Sequence, residues 1–328
     1  MKKLLTFLLA ALMIVPGLCA CGKQDATVVR LNEVTHSVFY APQYVAMSQG
    51  FFAAEGLQVE LTNGGGADKV MTAVVSGQSD IGLAGPEASI YVYNQGKADH
   101  TQIIAQLTKR DGSFLVGRTE SPFSWEDLRG KTIYASGKGN TPEAALNYVL
   151  TQNGIDPSTD VTIEWKSEQA ECLSALMAEE NAIAMLPQPF VTTAQAQSEN
   201  LRVALDLTEE WDALQADSET PSTLVTGVVV ARTAFAEEHP EVVSAFLDRY
   251  QESVDYVNSN VEEAAQLVGQ YEIVTAEVAQ KALPECNIVF IEGDEMKEKL
   301  SGYLSVLFEQ NPQSVGGALP DDAFYFSR

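Results

Sequence analysis

The feature that most constrains the fold is an alternation of strand-like and helix-like segments along residues 28–94. Residues 57–61 place apolar side chains at every second position, which is the period of a half-buried strand. Met71, Val74 and Val75 then follow the helical spacing of i, i+3 and i+4. Units that alternate in this way predict a mainly parallel sheet covered by helices.

A second series of the same kind follows after residue 113, so the pattern predicts two α/β units. The predicted strands cover residues 28–34, 57–61, 80–83, 113–118, 132–135, 161–165, 182–186, 201–207 and 225–232. The predicted helices cover residues 41–49, 87–94 and 141–153, with another around 173–177 and a long one that begins at Pro240. The aromatic segment 316–326 is expected to pack as a strap on the body.

The first twenty residues predict that the protein is exported from the cytoplasm. Lys2 and Lys3 precede an apolar run over residues 4–15, and a Pro-Gly pair then breaks any helix, as in a secretory signal peptide. Ala20 before Cys21 resembles a bacterial lipobox, although Cys19 replaces its usual small residue. We therefore expect cleavage after residue 20, lipidation of Cys21 and a flexible tether over residues 21–27, against the alternative of a freely secreted protein.

The chain is strongly acidic, which limits its partners. The formal net charge of −25 becomes −27 when Lys2 and Lys3 are removed with the signal peptide. Such a charge repels nucleic acid and anionic lipid surfaces, so membrane attachment is expected through the lipid alone. A length of 328 residues favours two lobes over one domain.

Cysteine usage excludes a disulfide framework. After cleavage only Cys172 and Cys286 remain besides Cys21, and these two lie far apart in the sequence. A single bridge stays open as an alternative to two buried free thiols. No cysteine or histidine spacing indicates a metal site, and no cofactor or metal is expected.

Candidate ligand loops follow from the sheet prediction, because ligands of open α/β sheets lie at the carboxyl ends of strands. The first unit offers residues 35–41, 63–69 and 84–87, and the second offers 136–141 and 188–190. Several of these loops run directly into a helix, whose free N–H groups and positive dipole end favour an anion.

The stretch FYAPQYVAMSQGFFAAEGLQVELTNGGGADKVMTAVVSGQSDIGLAGPE, residues 39–87, resembles the N-terminal lobe of ABC transporter substrate-binding proteins. The family it resembles captures sulfonates, taurine, nitrate and pyrimidine precursors of thiamine. The resemblance implies a two-lobed periplasmic-binding-protein-like (type II) fold with a cleft between mainly parallel sheets. It implies a discontinuous lobe one over residues 28–114 and 228–328 and a lobe two over 115–227, with strands 113–118 and 225–232 as candidate crossings.

The resemblance and the loop positions together nominate ligand contacts. Aromatic rings at Phe39, Tyr40 and Phe190 could stack on a planar ligand, whereas each ring could instead belong to the core. Thr141 can cap its helix and Lys138 can meet an anion or remain solvated. The full predicted set is His36, Phe39, Tyr40, Gly65, Gly85, Glu87, Lys138, Asn140, Thr141, Gln188 and Phe190.

Glu87 separates the ligand classes. A carboxylate that faces the cleft would pair with an amino group, as on an aminopyrimidine or taurine, and would repel nitrate. A carboxylate that only sits in the first turn of its helix would be stabilised by the helix dipole and would say nothing about the ligand. The sequence leaves both interpretations open.

The expected function is the solute-binding component of an ABC importer, with a permease and an ATPase as partners and no enzymatic turnover. One alternative is an enzyme that resembles the thiamine-pyrimidine synthases of fungi, but the cysteine-rich CCCFC motif of those enzymes is absent from the sequence. Another is a sensor subunit that uses the same cleft to report to a receptor.

Overall fold

The computed structural model describes residues 26–96, 100–108, 113–119, 123–139, 141–218 and 222–328. The predicted signal peptide, Cys21 and the tether up to residue 25 lie outside these ranges, as does Asn140. Within the described residues no helix is both long enough and apolar enough to cross a membrane.

Strands and helices alternate as predicted, but the strands at residues 101–108 and 288–291 were not predicted. The strands are β1 Thr27–Glu33, β2 Leu57–Asn63, β3 Ile81–Ala84, β4 Thr101–Thr108, β5 Ser113–Gly117, β6 Thr132–Ser136, β7 Thr162–Lys166, β8 Ile183–Pro187, β9 Arg202–Asp206, β10 Val228–Arg232 and β11 Ile288–Ile291. The helices are α1 Ala41–Ser48, α2 Phe51–Ala54, α3 Ala67–Val75, α4 Pro86–Tyr93, α5 Thr141–Gln152, α6 Gln169–Ala178, α7 Phe190–Gln197, α8 Leu207–Gln215, α9 Thr233–Glu238, α10 Pro240–Ser259, α11 Val261–Gln270, α12 Ala276–Ala282 and α13 Gly293–Gln310. Short 3-10 turns cover Val38–Tyr40, Trp125–Leu128, Leu283–Cys286, Pro312–Val315 and Asp322–Phe324.

The first sheet has the order β11-β4-β10-β3-β1-β2. β1 lies parallel to β2 and β3, whereas β10 lies antiparallel between β3 and β4. The parallel set follows from helical crossovers, and β10 runs the other way because it returns to this sheet from the second one. Strands β1 to β4 share one direction, and β10 and β11 run against them, so the sheet is mixed.

The second sheet repeats this plan with the order β7-β6-β8-β5-β9. β6 is parallel to β7 and β8, and β5 is antiparallel to both of its neighbours. The whole of β5 belongs to this sheet, so the chain changes sheet between Thr108 and Ser113. The predicted two-lobed α/β fold is thereby confirmed.

Apolar packing covers both faces of each sheet. In the first lobe, one face is covered by α1, α10 and α11, and the other by α4 and α13. The second of these clusters also contains Trp211 of α8 and Ala145 of α5, which come from the second lobe. The two lobes therefore share one continuous apolar seam.

Two smaller predictions concern the body of the protein. The C-terminal segment packs as a strap, since Phe324 is buried and the Phe326 N–H donates to the Ile103 carbonyl oxygen at 2.9 Å. Cys172 and Cys286 are both buried and free, which agrees with the simpler of the two cysteine interpretations. Burial raises the pKa of the Cys172 thiol to about 11, so this thiol stays protonated.

Candidate functional site

A cavity of about 390 Å³ lies between the two sheets, at the ends of strands from both lobes. Such a volume suits a small organic molecule. Residues from loops of each lobe form its walls: Val34, Thr35, Ser37, Phe39, Tyr40, Gly66, Ala67, Gly85, Glu87, Leu107, Thr108, Ser113, Gly137, Thr141, Pro142, Gln169, Pro187, Thr226 and Gly227. We refer to it below as the cleft.

One wall is residues 34–40, which we call the crevice loop. Ser37 caps the 3-10 turn Val38–Tyr40, and its hydroxyl accepts a hydrogen bond from the Phe39 N–H at 3.3 Å. This turn places Phe39 and Tyr40 at the cleft, where both also pack against the core of lobe one, while Val38 is completely buried. Both predicted aromatic residues therefore line the cleft.

Glu87 belongs to the wall that lobe one contributes, and it faces lobe two across the cleft. It is only 6% exposed, at the second position of α4, and its Oε1 atom lies 3.5 Å from the Thr141 nitrogen of lobe two. Its Oε2 atom is buried and has no hydrogen-bond partner among the described residues. The carboxylate thus faces the other lobe and keeps acceptor capacity that no donor of the described residues uses.

Burial dominates the electrostatics of Glu87. Loss of solvation raises the pKa of this carboxyl group, and hydrogen bonds from Thr141 and from its own backbone act in the opposite direction. A ligand that brings an N–H donor or a positive charge would relieve the unfavourable burial of the carboxylate.

Gly85 makes this placement of Glu87 possible. A Cβ atom at residue 85 would lie 2.9 Å from Cδ of Glu87 and closer still to Oε1. The Glu87 carboxylate therefore occupies the space that a Cβ atom on residue 85 would fill. Gly85 lines the cleft, and its lack of a side chain makes room for the carboxylate.

Lobe two contributes the start of α5. Gly137 has a φ of +82°, and a Cβ there would lie 2.8 Å from Cγ of Pro142, so the turn into the helix is tight at this point. Thr141 and Pro142 face the cleft from the first turn of α5. Lys138, which precedes that turn, is not among the lining residues.

The other predicted contacts lie outside the cleft lining. His36 turns away and places Nδ1 against Glu33 Oε1, and Gly66 lines the cleft in place of Gly65. The side chain of Gln188 is taken up by Thr192, whose hydroxyl donates to Oε1 at 2.8 Å. Phe190 packs against the core of lobe two. None of these four residues lines the cleft. The side chains of His36, Gln188 and Phe190 contact other residues, and Gly66 lies where Gly65 was expected.

Several lining residues were not nominated from the sequence. Thr108 and Thr226 come from the two segments that cross between the lobes, and the Gly227 N–H donates to Thr108 Oγ1 at 2.9 Å. Only Thr226 falls within a predicted crossing, residues 225–232, and Thr108 lies before the other one, residues 113–118. The strands β5 and β10 in those two stretches each belong to a single sheet, so the chain crosses just before each strand and not within it. No sequence signal pointed to Gln169 at the start of α6, and its buried Oε1 has no partner among the described residues.

The cleft combines one acidic side chain with the partly positive starts of several helices. Glu87 is the only charged side chain among the described lining residues, whereas α3, α4, α5 and α6 all begin at the cleft. Helix starts present N–H groups and partial positive charge, which favour acceptors. Among the described residues no group of three His, Cys, Asp or Glu side chains could hold a metal ion.

Solved structures share this architecture. An ABC transporter structure from Parabacteroides distasonis aligns with a TM-score of 0.71 and 19% identity, over 92% of this chain and 99% of that chain. The periplasmic aliphatic sulphonate binding protein SsuA from Escherichia coli aligns with a TM-score of 0.71 and 16% identity, over 88% of this chain and 90% of that chain. At these identities the likeness establishes the fold.

Sequence comparison gives a nearer relative and a family. YtlA of Bacillus subtilis (strain 168), which is named as a binding protein, is 47% identical over 149 residues. That match spans 45% of this chain and 45% of YtlA, so the chain is matched to less than half the length of this curated relative. Residues 38–264, which include the last three residues of the crevice loop, Glu87 and all of lobe two, match the family described as NMT1/THI5 like. The chain belongs to the NMT1/THI5-like family.

Proposed function

We propose that this protein is the solute-binding component of an ABC importer and captures a small molecule outside the cytoplasmic membrane. The family assignment, the fold of its structural neighbours and the cleft between two lobes support this role. Closure of the lobes would bury the ligand, and ligand would favour the closed form by its differential affinity for that form.

The ligand class is a small solute that presents an N–H donor beside a flat or apolar body, such as the aminopyrimidine precursor of thiamine. The observation that carries this choice is the buried Glu87 carboxylate, whose Oε2 faces no donor among the described residues. Gln169 Oε1 adds a second acceptor without a partner there, and Phe39 and Tyr40 offer rings for stacking.

A second candidate is a sulfonate or similar oxyanion. The starts of α3, α4, α5 and α6 around the cleft favour it, because their N–H groups suit acceptor oxygens. Taurine combines both features, with an ammonium for Glu87 and a sulfonate for the helix starts. A bare anion such as nitrate would meet Glu87 without compensation, so it ranks last.

A thermal-shift screen tests the ligand class, preceded by native mass spectrometry of the protein as purified from its host. The screen compares the aminopyrimidine precursor, taurine, ethanesulfonate and nitrate. A true ligand at about 100 times its Kd should stabilise the protein by about 2.7 kcal/mol. Stabilisation by ethanesulfonate alone would favour the oxyanion, and an unchanged melting curve with all four would overturn this ligand list.

The cellular setting belongs to the same proposal. Lipidated Cys21 would hold the protein at the outer face of the cytoplasmic membrane, beside a permease and an ATPase. Lobe one would comprise the residues up to β4 and those from β10 onward, and lobe two would begin before β5, slightly earlier than residue 115. YtlA is named for binding, which supports capture without turnover over the enzymatic alternative.

A further inference from the structure

A second buried carboxylate lies directly behind the cleft and does not line it. Glu33 is the last residue of β1, where the crevice loop begins, and its side chain is completely buried. Its backbone is held on both sides, since Glu33 is paired with Asn63 of β2 and Leu83 of β3. The carboxylate therefore starts from a rigid position in the sheet.

Three donors converge on this carboxylate from the crevice loop and α1. Tyr44 donates its hydroxyl to Oε2 at 2.8 Å, Gln43 Nε2 also contacts Oε2, and His36 Nδ1 contacts Oε1. Tyr44 and Gln43 are themselves fully buried, whereas the side chain of His36 is about half exposed. One carboxylate thus joins the end of β1 to both ends of the segment that carries the aromatic residues of the cleft.

The link continues into the residues that line the cleft. The Ser37 N–H points to Tyr44 Oη at 3.4 Å, and the Ser37 hydroxyl in turn accepts from the Phe39 N–H at 3.3 Å. A chain of contacts therefore runs from Glu33 through Tyr44 and Ser37 to Phe39. Burial raises the pKa of Glu33, and its donors, with His36 close by, oppose that rise.

We propose that Glu33 is a positioning residue for ligand capture, which holds the crevice loop in the conformation that presents Ser37, Phe39 and Tyr40 to the cleft. The ligand-binding part of this inference rests on the proposed function, and the positioning of the loop does not. Pre-organisation of this loop improves affinity because the ordering cost is met before the ligand arrives.

The test replaces Glu33 by Gln in the otherwise unchanged mature protein. An amide keeps one acceptor oxygen where the carboxylate had two. If its nitrogen faces Tyr44 and Gln43, both buried donors lose their acceptor, and if it faces His36 instead, that contact survives only when Nδ1 accepts. Hydrogen exchange at the Ser37 and Phe39 amides should become about tenfold faster, and the Kd for the aminopyrimidine precursor of thiamine should rise about tenfold. Tyr44→Phe, which keeps the ring and removes the bridging hydroxyl, should change both quantities in the same direction by a smaller factor.

Asp80→Asn is the matched control. Asp80 is also a buried carboxylate of lobe one, and it accepts from the Arg30 side chain without contacting the crevice loop. This variant should lower Tm and leave both the loop exchange and the Kd unchanged. An equal loss of affinity in Asp80→Asn would overturn the proposal, because general loosening of the lobe would then explain the effect.

The exchange measurement also separates this proposal from the ligand assignment. Unchanged exchange at Ser37 and Phe39 in both Glu33→Gln and Tyr44→Phe would overturn the positioning role, whatever the ligand. If the unaltered protein does not bind the aminopyrimidine, the proposed ligand class fails, and the exchange rates still decide whether Glu33 holds the loop. Should Glu33→Gln fail to fold, Tyr44→Phe carries the same two measurements.

Discussion

Glu33 and Glu87 are buried carboxylates of the same lobe that differ in how many hydrogen-bond partners the protein gives them. Glu33 lies among donors from the crevice loop and α1, so its acceptor capacity is used inside the protein. The Glu87 Oε1 lies 3.5 Å from the Thr141 nitrogen across the lobes, and its Oε2 is without a partner among the described residues. A buried acceptor without a donor is costly, and such a cost is accepted where a ligand supplies the missing group.

Glu87→Gln should weaken an amine-bearing ligand and leave a simple sulfonate unaffected. The carboxylate offers a charge-assisted hydrogen bond worth about 1.5–3 kcal/mol, which the neutral amide cannot match. Isothermal titration with the aminopyrimidine precursor and with ethanesulfonate, for this variant and for Glu87→Ala, measures the difference. Equal losses for both ligands would contradict the role assigned to Glu87.

The two carboxylates also set a pH dependence of stability. Burial raises the pKa of both Glu33 and Glu87 above the unfolded value of about 4.3. Between that value and the raised native value the folded protein binds more protons, so the free energy of unfolding falls as pH rises through this window. Glu87→Gln should therefore gain stability relative to the unaltered protein as pH increases, measured by urea denaturation at a series of pH values. A difference that stays constant with pH would show that Glu87 does not titrate in this window.

At the scale of elements, the cleft is built from the places where strands end and helices begin. Gly85 ends the path from β3 into α4, and Gly137 lies on the path from β6 into α5. Each glycine leaves space for a neighbouring side chain: the Glu87 carboxylate in one case and the Pro142 ring in the other. The two turns bring Glu87 and Thr141 together across the cleft.

Gly85→Ala should reduce ligand affinity with little effect on stability. Gly85 has a φ of −80°, which alanine also adopts, so the backbone is not strained by the change. The new Cβ instead displaces the Glu87 carboxylate, which a flexible side chain permits at small cost. Binding titrations and thermal melts should show the Kd rising while Tm changes little.

Gly154→Ala is the control for this prediction. Gly154 lies after α5 with a φ of +78° and nothing near its missing Cβ, so alanine should cost about 1 kcal/mol of stability through backbone strain. The ligand affinity of the Gly154→Ala variant should not change. A loss of affinity in this control would mean that reduced stability by itself weakens binding.

At the scale of the whole molecule, the lobes are joined by an apolar seam as well as by the crossing segments. Trp211 of α8 is completely buried and contacts Tyr148 of α5 and Tyr303 of α13, with ring centroids 4.6 Å and 5.8 Å apart. Its Nε1 donates to Ser222 Oγ at 3.1 Å. The seam therefore keeps the two lobes in register on one side of the cleft.

Trp211→Ala should lower the free energy of unfolding by about 3–5 kcal/mol, because a large cavity would form in the seam. Trp165→Ala is the matched comparison, since Trp165 is only partly buried on β7 within lobe two and should cost less. Urea denaturation followed by circular dichroism measures both. A loss below about 1 kcal/mol for Trp211→Ala would show that the seam contributes little to joining the lobes.

Attachment to the membrane is also a property of the whole molecule. Cys21→Ser should release the protein from the membrane fraction, because serine cannot carry the acyl chains that would anchor the protein through Cys21. Fractionation of cells that express each form, followed by immunoblotting, gives the distribution. Retention of Cys21→Ser in the membrane fraction would contradict the lipobox interpretation.

The sequence by itself determined the alternation of strands and helices, the two-lobed plan and most of the loops that face the cleft, but it did not predict β4 or β11. The spacing of apolar residues, every two in a strand and every 3.6 in a helix, is a local property of the sequence. So are the turns that glycine marks, and neither depends on how the elements pack. Phe39, Tyr40, Gly85, Glu87 and Thr141 could be nominated from such loops because parallel strands end at a common edge.

Only the tertiary structure decided which side chain of a loop faces the cleft. His36 and Phe39 share one loop, yet His36 turns to Glu33 while Phe39 faces the cleft. The insertion of β10 antiparallel between β3 and β4 and the contribution of Gln169 were likewise beyond the local pattern. The reason is physical: the orientation of a side chain is set by competition for burial and hydrogen-bond partners among residues far apart in the chain, and no local period records that competition.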